Sequence, residues 1–156
     1  MRHCRFSKFL IKKFESGKRK VLPETLKHVF NIATNVTGDI QQLCEVLWEV
    51  TSVNDAVSPG NLKAALELIF TREQKSYEAF VSLLTDFQFK CLSALARESG
   101  KSVYSMDFVK AVGLHSTASV NRAITRMIDI NILFKSGKEI RFVNPFFKAW
   151  LLPRGR

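Results

Sequence analysis

Ser105 to Phe142, which reads SMDFVKAVGLHSTASVNRAITRMIDINILFKSGKEIRF, is the stretch that decides the fold. Ser105 is a residue type that caps the N-termini of helices, because its hydroxyl accepts a hydrogen bond from a free backbone N–H. Gly113 is a residue type that ends helices, because it adopts the left-handed conformation without strain. A short helix is therefore predicted over residues 106–112.

A second helix is predicted to follow, capped by Ser116 or Thr117 and running to about Ile130. Its apolar residues recur at helical spacing and define one face: Val120, Ile124, Met127 and Ile128. Three polar residues at positions i, i+3 and i+7 define another face: Ser119, Arg122 and Arg126. The helix is expected to bury the first face and to expose the second.

Two apolar runs, residues 132–135 and 139–143, flank Ser136-Gly137 and predict a hairpin of two strands. Upstream of Ser105, a helix capped by Thr85 or Asp86 is predicted to begin the unit. Helices followed by a hairpin in this order are the plan of a winged helix. When such a domain binds DNA, the second helix of its helix-turn-helix enters the major groove.

The rest of the chain has mainly helical patterns. Helices are predicted over residues 5–14, 24–34 and 39–51, with a break at Thr37-Gly38 before the third. Ser58-Pro59 is predicted to open a long helical segment, which is either one helix or two with a break near Arg72. After the hairpin, Pro145 is predicted to start a final helix over residues 146–152.

The apolar faces of these helices predict the core. In the first helix the inner face is predicted to contain Phe6, Phe9, Leu10 and Phe14. Trp48 and Trp150 each follow a Leu-rich helical face, so both are predicted to pack in the core. Cys44 lies on an apolar face and is interpreted as a core residue rather than a reactive thiol.

The formal net charge is +10 and the pI is about 9.8, which favours acidic partners. Residues 1–20 hold eight Lys or Arg and one Glu, so they carry +7 of this charge. The basic face of the first helix is interpreted as a solvated surface, with a phosphate or membrane surface as the alternative.

Catalytic and metal-binding patterns are not found in the sequence. The three cysteines lie far apart and show no disulfide or zinc spacing, which favours a reducing, cytoplasmic location. The three histidines are scattered, and His115 is interpreted as a residue of the loop before the second helix. We therefore expect no enzyme activity, no metal and no cofactor. Since no apolar run reaches the ~18 residues of a membrane span, no membrane partner is expected.

Three segments together carry a resemblance. Residues 38–44, GDIQQLC, with Leu47-Trp48, resemble the helical lid of prokaryotic AAA+ or STAND-type ATPases. Residues 116–123, STASVNRA, resemble the third helix of the winged helix that follows this lid. Residues 144–151, NPFFKAWL, resemble the segment that closes that winged helix, with Asn144 where the family often has Asp.

The resemblance implies a C-terminal part of such an ATPase, without its ATPase core. The chain contains no Gly-x-x-x-x-Gly-Lys-Ser/Thr loop, and Gln41 stands where many lids carry an arginine that senses the γ-phosphate. ATP is therefore expected only if an ATPase core is supplied elsewhere. The expected fold class is mostly α, with a helical lid-like subdomain followed by a winged-helix domain. The expected parts are residues 1–57 (lid-like), 58–84 (connecting helix), 85–152 (winged helix) and 153–156 (tail).

Double-stranded DNA is the first predicted partner. Ser119, Arg122 and Arg126 are predicted to face the major groove, while Ser116 and Thr117 offer backbone N–H groups to a phosphate. Three cationic residues of the hairpin are predicted to contact the adjacent DNA backbone: Lys135, Lys138 and Arg141. The alternatives are that these residues form a solvated surface, that the unit docks on an ATPase core or another protein, and that residues 38–42 complete an ATP site of a longer ATPase.

Overall fold

The computed structural model describes residues 2–98, 100, 103–113 and 116–153, with side chains from Arg5 onwards. It divides into two compact units, one up to Arg72 and one from Glu73 onwards. The predicted mostly α class is confirmed, since the described residues form eight helices and one two-stranded sheet. The finer subdivision at residues 57 and 84 stays a prediction.

The secondary structure follows the predicted order. The first four helices are α1 (Arg2–Ser16), α2 (Pro23–Ile32), α3 (Thr37–Val50) and α4 (Pro59–Ser82). The remaining elements are α5 (Asp86–Arg97), α6 (Met106–Ala111), α7 (Thr117–Asp129), β1 (Leu133–Ser136), β2 (Glu139–Phe142) and α8 (Pro145–Leu151). The question left open at Arg72 is answered, because α4 continues through this residue as one helix.

The first unit buries one side of each of its helices. Its core contains the following residues, among others: Leu10, Phe14, Leu26, Val29, Phe30, Ile40, Leu43, Leu47, Ala65 and Ile69. Two loops are joined by backbone hydrogen bonds, since Lys20 N–H donates to Asp55 O at 3.0 Å and Val57 N–H donates to Lys20 O at 2.8 Å. The basic turn after α1 is thereby fixed to the loop before α4.

The predicted break at Thr37-Gly38 is wrong. Helix α3 already begins at Thr37, and the chain instead turns at Thr34 and Asn35, whose φ angles are 49° and 60°. Gly38 has no atom within 4 Å of the position that a Cβ would take, so it fits an ordinary first helical turn. The turn depends on Asn35, a residue type that tolerates the left-handed region, rather than on the glycine.

The predicted burial of Phe9 and Trp48 is also wrong. Phe9 is 48% exposed and Trp48 is 43% exposed, whereas Trp150 is buried as predicted. Phe9 lies beside the buried Leu10 on α1, at the margin of the apolar face. Trp48 lies over Gly17, where an added Cβ would come within 3.0 Å of the indole Cε2.

The second unit packs α5, α6 and α7 together and places the hairpin and α8 against them. The strands pair antiparallel, with Leu133 opposite Phe142 and Ser136 opposite Glu139, and the turn contains Gly137 at φ 61°. The centre of the Phe147 ring of α8 lies 5.2 Å from the ring centre of Tyr77, 5.5 Å from that of Phe80 and 6.4 Å from that of Phe142. The C-terminal end of α4 thus shares an aromatic cluster with β2 and α8.

Side-chain caps define where the helices of this unit begin. Thr85 forms a capping box with Gln88, Ser105 accepts from Phe108 N–H, and Ser116 accepts from Ser119 N–H. At α8, the Asn144 side chain accepts from Phe146 N–H at 2.9 Å and from Phe147 N–H at 3.0 Å. The sequence offered two candidate caps for each of two helices. The cap of α5 is Thr85 rather than Asp86, and the cap of α7 is Ser116 rather than Thr117.

Gly100 makes a close backbone contact with β2. Its carbonyl accepts a 3.0 Å hydrogen bond from Ile140 N–H, and a Cβ on Gly100 would overlap the Ile140 carbonyl oxygen. Ile140 itself is buried. The approach of this segment to the hairpin therefore requires glycine at position 100.

We expect Gly100→Ala to lower the free energy of unfolding by about 1–3 kcal/mol, because the added methyl group must displace β2. Urea denaturation followed by circular dichroism measures this change. Gly60→Ala is the matched control, since Gly60 lies in the first turn of α4 and a Cβ added there would meet only Ser58 Oγ, at 3.5 Å. Alanine there should raise stability by about 0.5–1 kcal/mol. Equal stability of the two variants would contradict the close approach at Gly100.

Candidate nucleic-acid interface

Helix α7 has one buried side and one polar side. Val120, Ile124 and Met127 are fully buried against the rest of the unit, as predicted, whereas Ile128 of the same predicted face is half-buried. Arg122 and Arg126 are exposed on the other side, and Ser119 is half-buried between the two. Within the part of the chain that the structure describes, neither arginine forms an ion pair. Their guanidinium groups are therefore available to an external acceptor.

One of the backbone N–H groups at the N-terminus of α7 is already hydrogen-bonded to the cap residue of the helix. Ser116 Oγ accepts a 3.2 Å hydrogen bond from Ser119 N–H, and the two hydroxyl oxygens lie 2.9 Å apart. A phosphate placed there would thus meet the backbone N–H groups of Thr117 and Ala118, which precede the capped one. Ser116 and Thr117 are both exposed, so this end of the helix is accessible.

A cleft of about 280 Å³ lies beside the polar side of α7. Its lining combines residues of α5 and α7: Phe87, Gln88, Ser119, Arg122 and Ala123. Gln88 uses its Oε1 to accept from Thr85 N–H at 3.1 Å, so its side chain is held by the capping box. The sequence patterns gave no functional role to Phe87 or Gln88, because only tertiary packing brings α5 beside Ser119 and Arg122.

The hairpin carries the other predicted cations. Lys135 and Lys138 are exposed, and Arg141 is an exposed residue that forms an ion pair with Glu139, with Nη2 and Oε2 2.9 Å apart. Surface pairs of this kind contribute about 0–1 kcal/mol, so Glu139 reduces the local charge without locking Arg141 in place. Phe134 lies opposite Arg141 on the exposed face of the hairpin.

Other candidate chemistry is not supported by the described residues. Among them, no group of three His, Cys, Asp or Glu side chains is arranged to hold a metal ion. None of the described helices has the length and apolar character needed to cross a membrane. His115 and the side chains of His3 and Cys4 lie outside the described residues.

Cys44 and Cys91 are free and buried, as interpreted for Cys44 from the sequence. Burial raises the pKa of the Cys44 thiol to about 12 and that of the Cys91 thiol to about 11, because the thiolate is poorly solvated there. Both residues therefore act as small apolar groups of the core.

A helix-turn-helix followed by a two-stranded hairpin, with a polar second helix, defines a winged-helix protein. Residues 75–153 match the family described as probable winged helix domain, and because this is half of the chain, the chain belongs to that family. No curated protein and no solved structure matches the chain.

The burial of the two cysteines gives a test by alkylation. At pH 8 we expect Cys44 and Cys91 to remain unmodified by iodoacetamide while the chain is folded, since the thiolate is the reactive form and both pKa values lie well above 8. Peptide mass mapping after quenching measures each residue separately. In urea both should react fully, which is the internal control. Rapid labelling of either residue in the folded chain would contradict its burial.

Proposed function

We propose that the second unit is a DNA-binding module that places α7 in the major groove of a duplex. The observation that supports this most is the two-sided character of α7. Val120, Ile124 and Met127 are fully buried. Packing therefore leaves Arg122 and Arg126 exposed and Ser119 half-buried, at the spacing of one helix face. Membership of the winged-helix family supports the same placement.

The charge of the second unit also supports the proposal. Residues 73–156 contain thirteen Lys or Arg and seven Asp or Glu, which gives a formal charge of +6. The first unit, residues 1–72, contains eleven Lys or Arg and seven Asp or Glu, which gives +4, and this excess comes from residues 1–20. The unit that holds α7 is therefore basic, as expected of a domain that approaches a polyanion.

Each group has a distinct proposed role. Arg122 and Arg126 read base edges, since a guanidinium can donate two hydrogen bonds to guanine O6 and N7. The backbone N–H groups next to Ser116 and Thr117 hold a phosphate at the helix N-terminus. Three hairpin residues contact the neighbouring backbone of the duplex: Lys135, Lys138 and Arg141. Arg141 exchanges its ion pair with Glu139 for a phosphate in this step.

We also propose that the chain is the C-terminal part of an AAA+ or STAND-type ATPase. The first support is the resemblance of three segments: residues 38–44, 116–123 and 144–151. The second is the chain order, in which the helices α1 to α4 come before the helices and hairpin of the winged helix. In this proposal residues 1–57 are the lid-like part and residues 58–84 the connecting helix. ATP binding would require a core supplied elsewhere.

A second candidate function is docking of the winged helix on such a core or on another protein. The observation that favours it is a set of exposed apolar side chains in the second unit: Leu83, Tyr104, Met106, Phe134 and Val143. Exposed apolar side chains are available for contact with a partner protein, and they mark an interface where they form a contiguous patch. A third candidate, in which residues 38–42 complete an ATP site, rests on the resemblance alone.

DNA binding is tested by fluorescence anisotropy of a labelled random duplex of about 24 base pairs across a salt series. We expect micromolar binding whose affinity falls with salt, with a slope of about −0.9 per phosphate neutralised in a plot of log K against log salt. The double variant Arg122→Ala, Arg126→Ala should bind at least tenfold more weakly at fixed salt, because it removes two guanidinium groups from the side of α7 that faces the duplex. The slope should change little, since it depends on the phosphate contacts of other residues.

The matched control is Lys63→Ala, Lys75→Ala, which removes the same charge from two exposed positions of α4. It should bind within about twofold of the parent chain, because the removed cations contact no phosphate. Equal losses in the two double variants would show that net charge alone drives binding. If both double variants keep the salt-sensitive binding of the parent chain, residues 1–20 are the part that binds DNA. If the parent chain does not bind at low salt, the DNA proposal is overturned in favour of docking.

A further inference from the structure

The first unit contains a groove that the proposed DNA contact does not use. Helices α1 and α3 border this space, whose volume is about 570 Å³. Three buried apolar side chains lie at its base: Leu10, Phe14 and Cys44. Two aromatic side chains border it while remaining open to solvent: Phe9 at 48% and Trp48 at 43% exposure. The lining is thus mainly apolar, with exposed aromatic rings contributed by both helices.

The length of the groove matches a short helix. Its lining covers residues 9–16 of α1 and residues 41–48 of α3. Eight helical residues rise about 12 Å, at about 1.5 Å per residue. This is the length of two helical turns, which present apolar anchors at positions i, i+3, i+4 and i+7 to a groove.

The aromatic residues of the groove are held in place before anything binds. The Arg19 guanidinium lies 3.9 Å from the centre of the Trp48 ring. Arg19 is itself fixed, because its Nε donates to Thr51 O at 2.7 Å and its Nη1 donates to Gly17 O at 2.8 Å. On the other side, the Lys13 ammonium lies 5.7 Å from the centre of the Phe9 ring. Prepositioned rings lose little side-chain entropy on binding, which favours a specific contact.

The two rims of the groove carry opposite charges. The α1 rim contributes Lys13, and the α3 rim contributes Glu45. The difference extends along both helices. Helix α3 contains Asp39, Glu45 and Glu49 and no Lys or Arg, and Glu49 forms a 2.8 Å ion pair with Arg72 of α4. Among its described side chains, helix α1 exposes four cations, Arg5, Lys8, Lys12 and Lys13, and one acidic residue, Glu15. A partner that complements this groove must be acidic on one flank and basic on the other.

We propose that this groove binds an amphipathic helix of a partner protein, with an apolar stripe in the groove, an acidic flank beside α1 and a basic flank beside α3. The apolar stripe covers Phe9 and Trp48, and the two flanks pair with Lys13 and Glu45. The proposal rests on the first unit alone and is independent of DNA binding by α7.

The probe is a synthetic, fluorescein-labelled helical peptide of about 16 residues, with Leu and Met in the stripe, Glu on one flank and Lys on the other. Anisotropy should show micromolar binding to the full chain and none for a peptide of the same composition with the stripe scrambled. Phe9→Gln should weaken binding about tenfold, because it removes an aromatic contact from the interface. Val53→Gln is the control, since Val53 is 53% exposed in the same unit and does not line the groove. It should leave the affinity unchanged.

Charge reversal tests the rims separately from the apolar contact. Lys13→Glu makes both rims acidic and Glu45→Lys makes both rims basic, so each single variant should weaken binding of the mixed-charge peptide by about two- to fivefold. The double variant Lys13→Glu, Glu45→Lys again has one rim of each sign. Because the peptide can bind in the reversed direction, the double variant should recover the parent affinity. Thermal unfolding of each variant establishes that the fold is retained.

Three results would overturn the proposal. Absence of peptide binding to the folded chain would exclude a helix as the occupant. Equal effects of Phe9→Gln and Val53→Gln would place any binding elsewhere. Self-association of the chain in sedimentation velocity, abolished by Phe9→Gln, would make a second copy of this chain the occupant instead.

Discussion

The packing of the Phe147 ring is the contact on which the second unit depends. This one side chain of α8 contacts Tyr77 of α4, Phe142 of β2 and Trp150 of its own helix, with ring centres 5.2 to 6.4 Å apart. Aromatic pairs at such distances stabilise a fold beyond the area that they bury. Because Phe142 pairs with Leu133 across the hairpin, fixing Phe147 also fixes where both strands lie. The Asn144 cap fixes the start of α8 so that Phe147 lies in its first turn, and it therefore contributes to the same aromatic packing.

The orientation of α7 is set by the burial of its own apolar side chains. With Val120, Ile124 and Met127 fully buried, rotation about the helix axis would expose apolar side chains and bury arginines. An unpaired buried charge is far more costly than the loss of a surface contact, so only one rotation is compatible with the fold. Packing of the core therefore determines which side of α7 faces the solvent. The residues on that side are not needed for packing and are available for recognition.

The parts of the fold that the sequence predicted are those encoded by neighbouring residues. Caps such as Thr85, Ser105 and Ser116 act on N–H groups within three residues, and the buried side of α7 follows from a regular period. The partial exposure of Trp48 was missed because the residues that contact its ring, Gly17 and Arg19, are distant in the sequence and leave part of the ring uncovered. A hydrophobic period shows which side of a helix is apolar, but it does not show how far the neighbouring helices cover that side.

The same distinction applies to the candidate nucleic-acid interface. The outward residues of α7 could be named from their spacing, because Ser119, Arg122 and Arg126 belong to one helix. The cleft that adjoins them could not, since Phe87 and Gln88 come from α5 and reach α7 only through tertiary packing. The ion pair between Arg141 and Glu139 is a local feature of β2, since the two residues are two positions apart on one strand.

The net charge of +10 conceals two different distributions, and these favour different partners. In the first unit, residues 1–20 carry +7 and residues 21–72 carry −3, and part of the basic charge is engaged within the fold through Arg19. The first unit therefore carries +4, and its individual charges are screened by salt beyond a Debye length of about 8 Å, so the opposite signs on α1 and α3 act mainly on a partner in direct contact. The second unit carries +6, and its excess of one sign attracts a polyanion from a greater distance. A short-range, mixed-sign groove suits recognition of a protein helix, whereas a unit with a net positive charge and the polar side of a helix at its surface suits a nucleic acid.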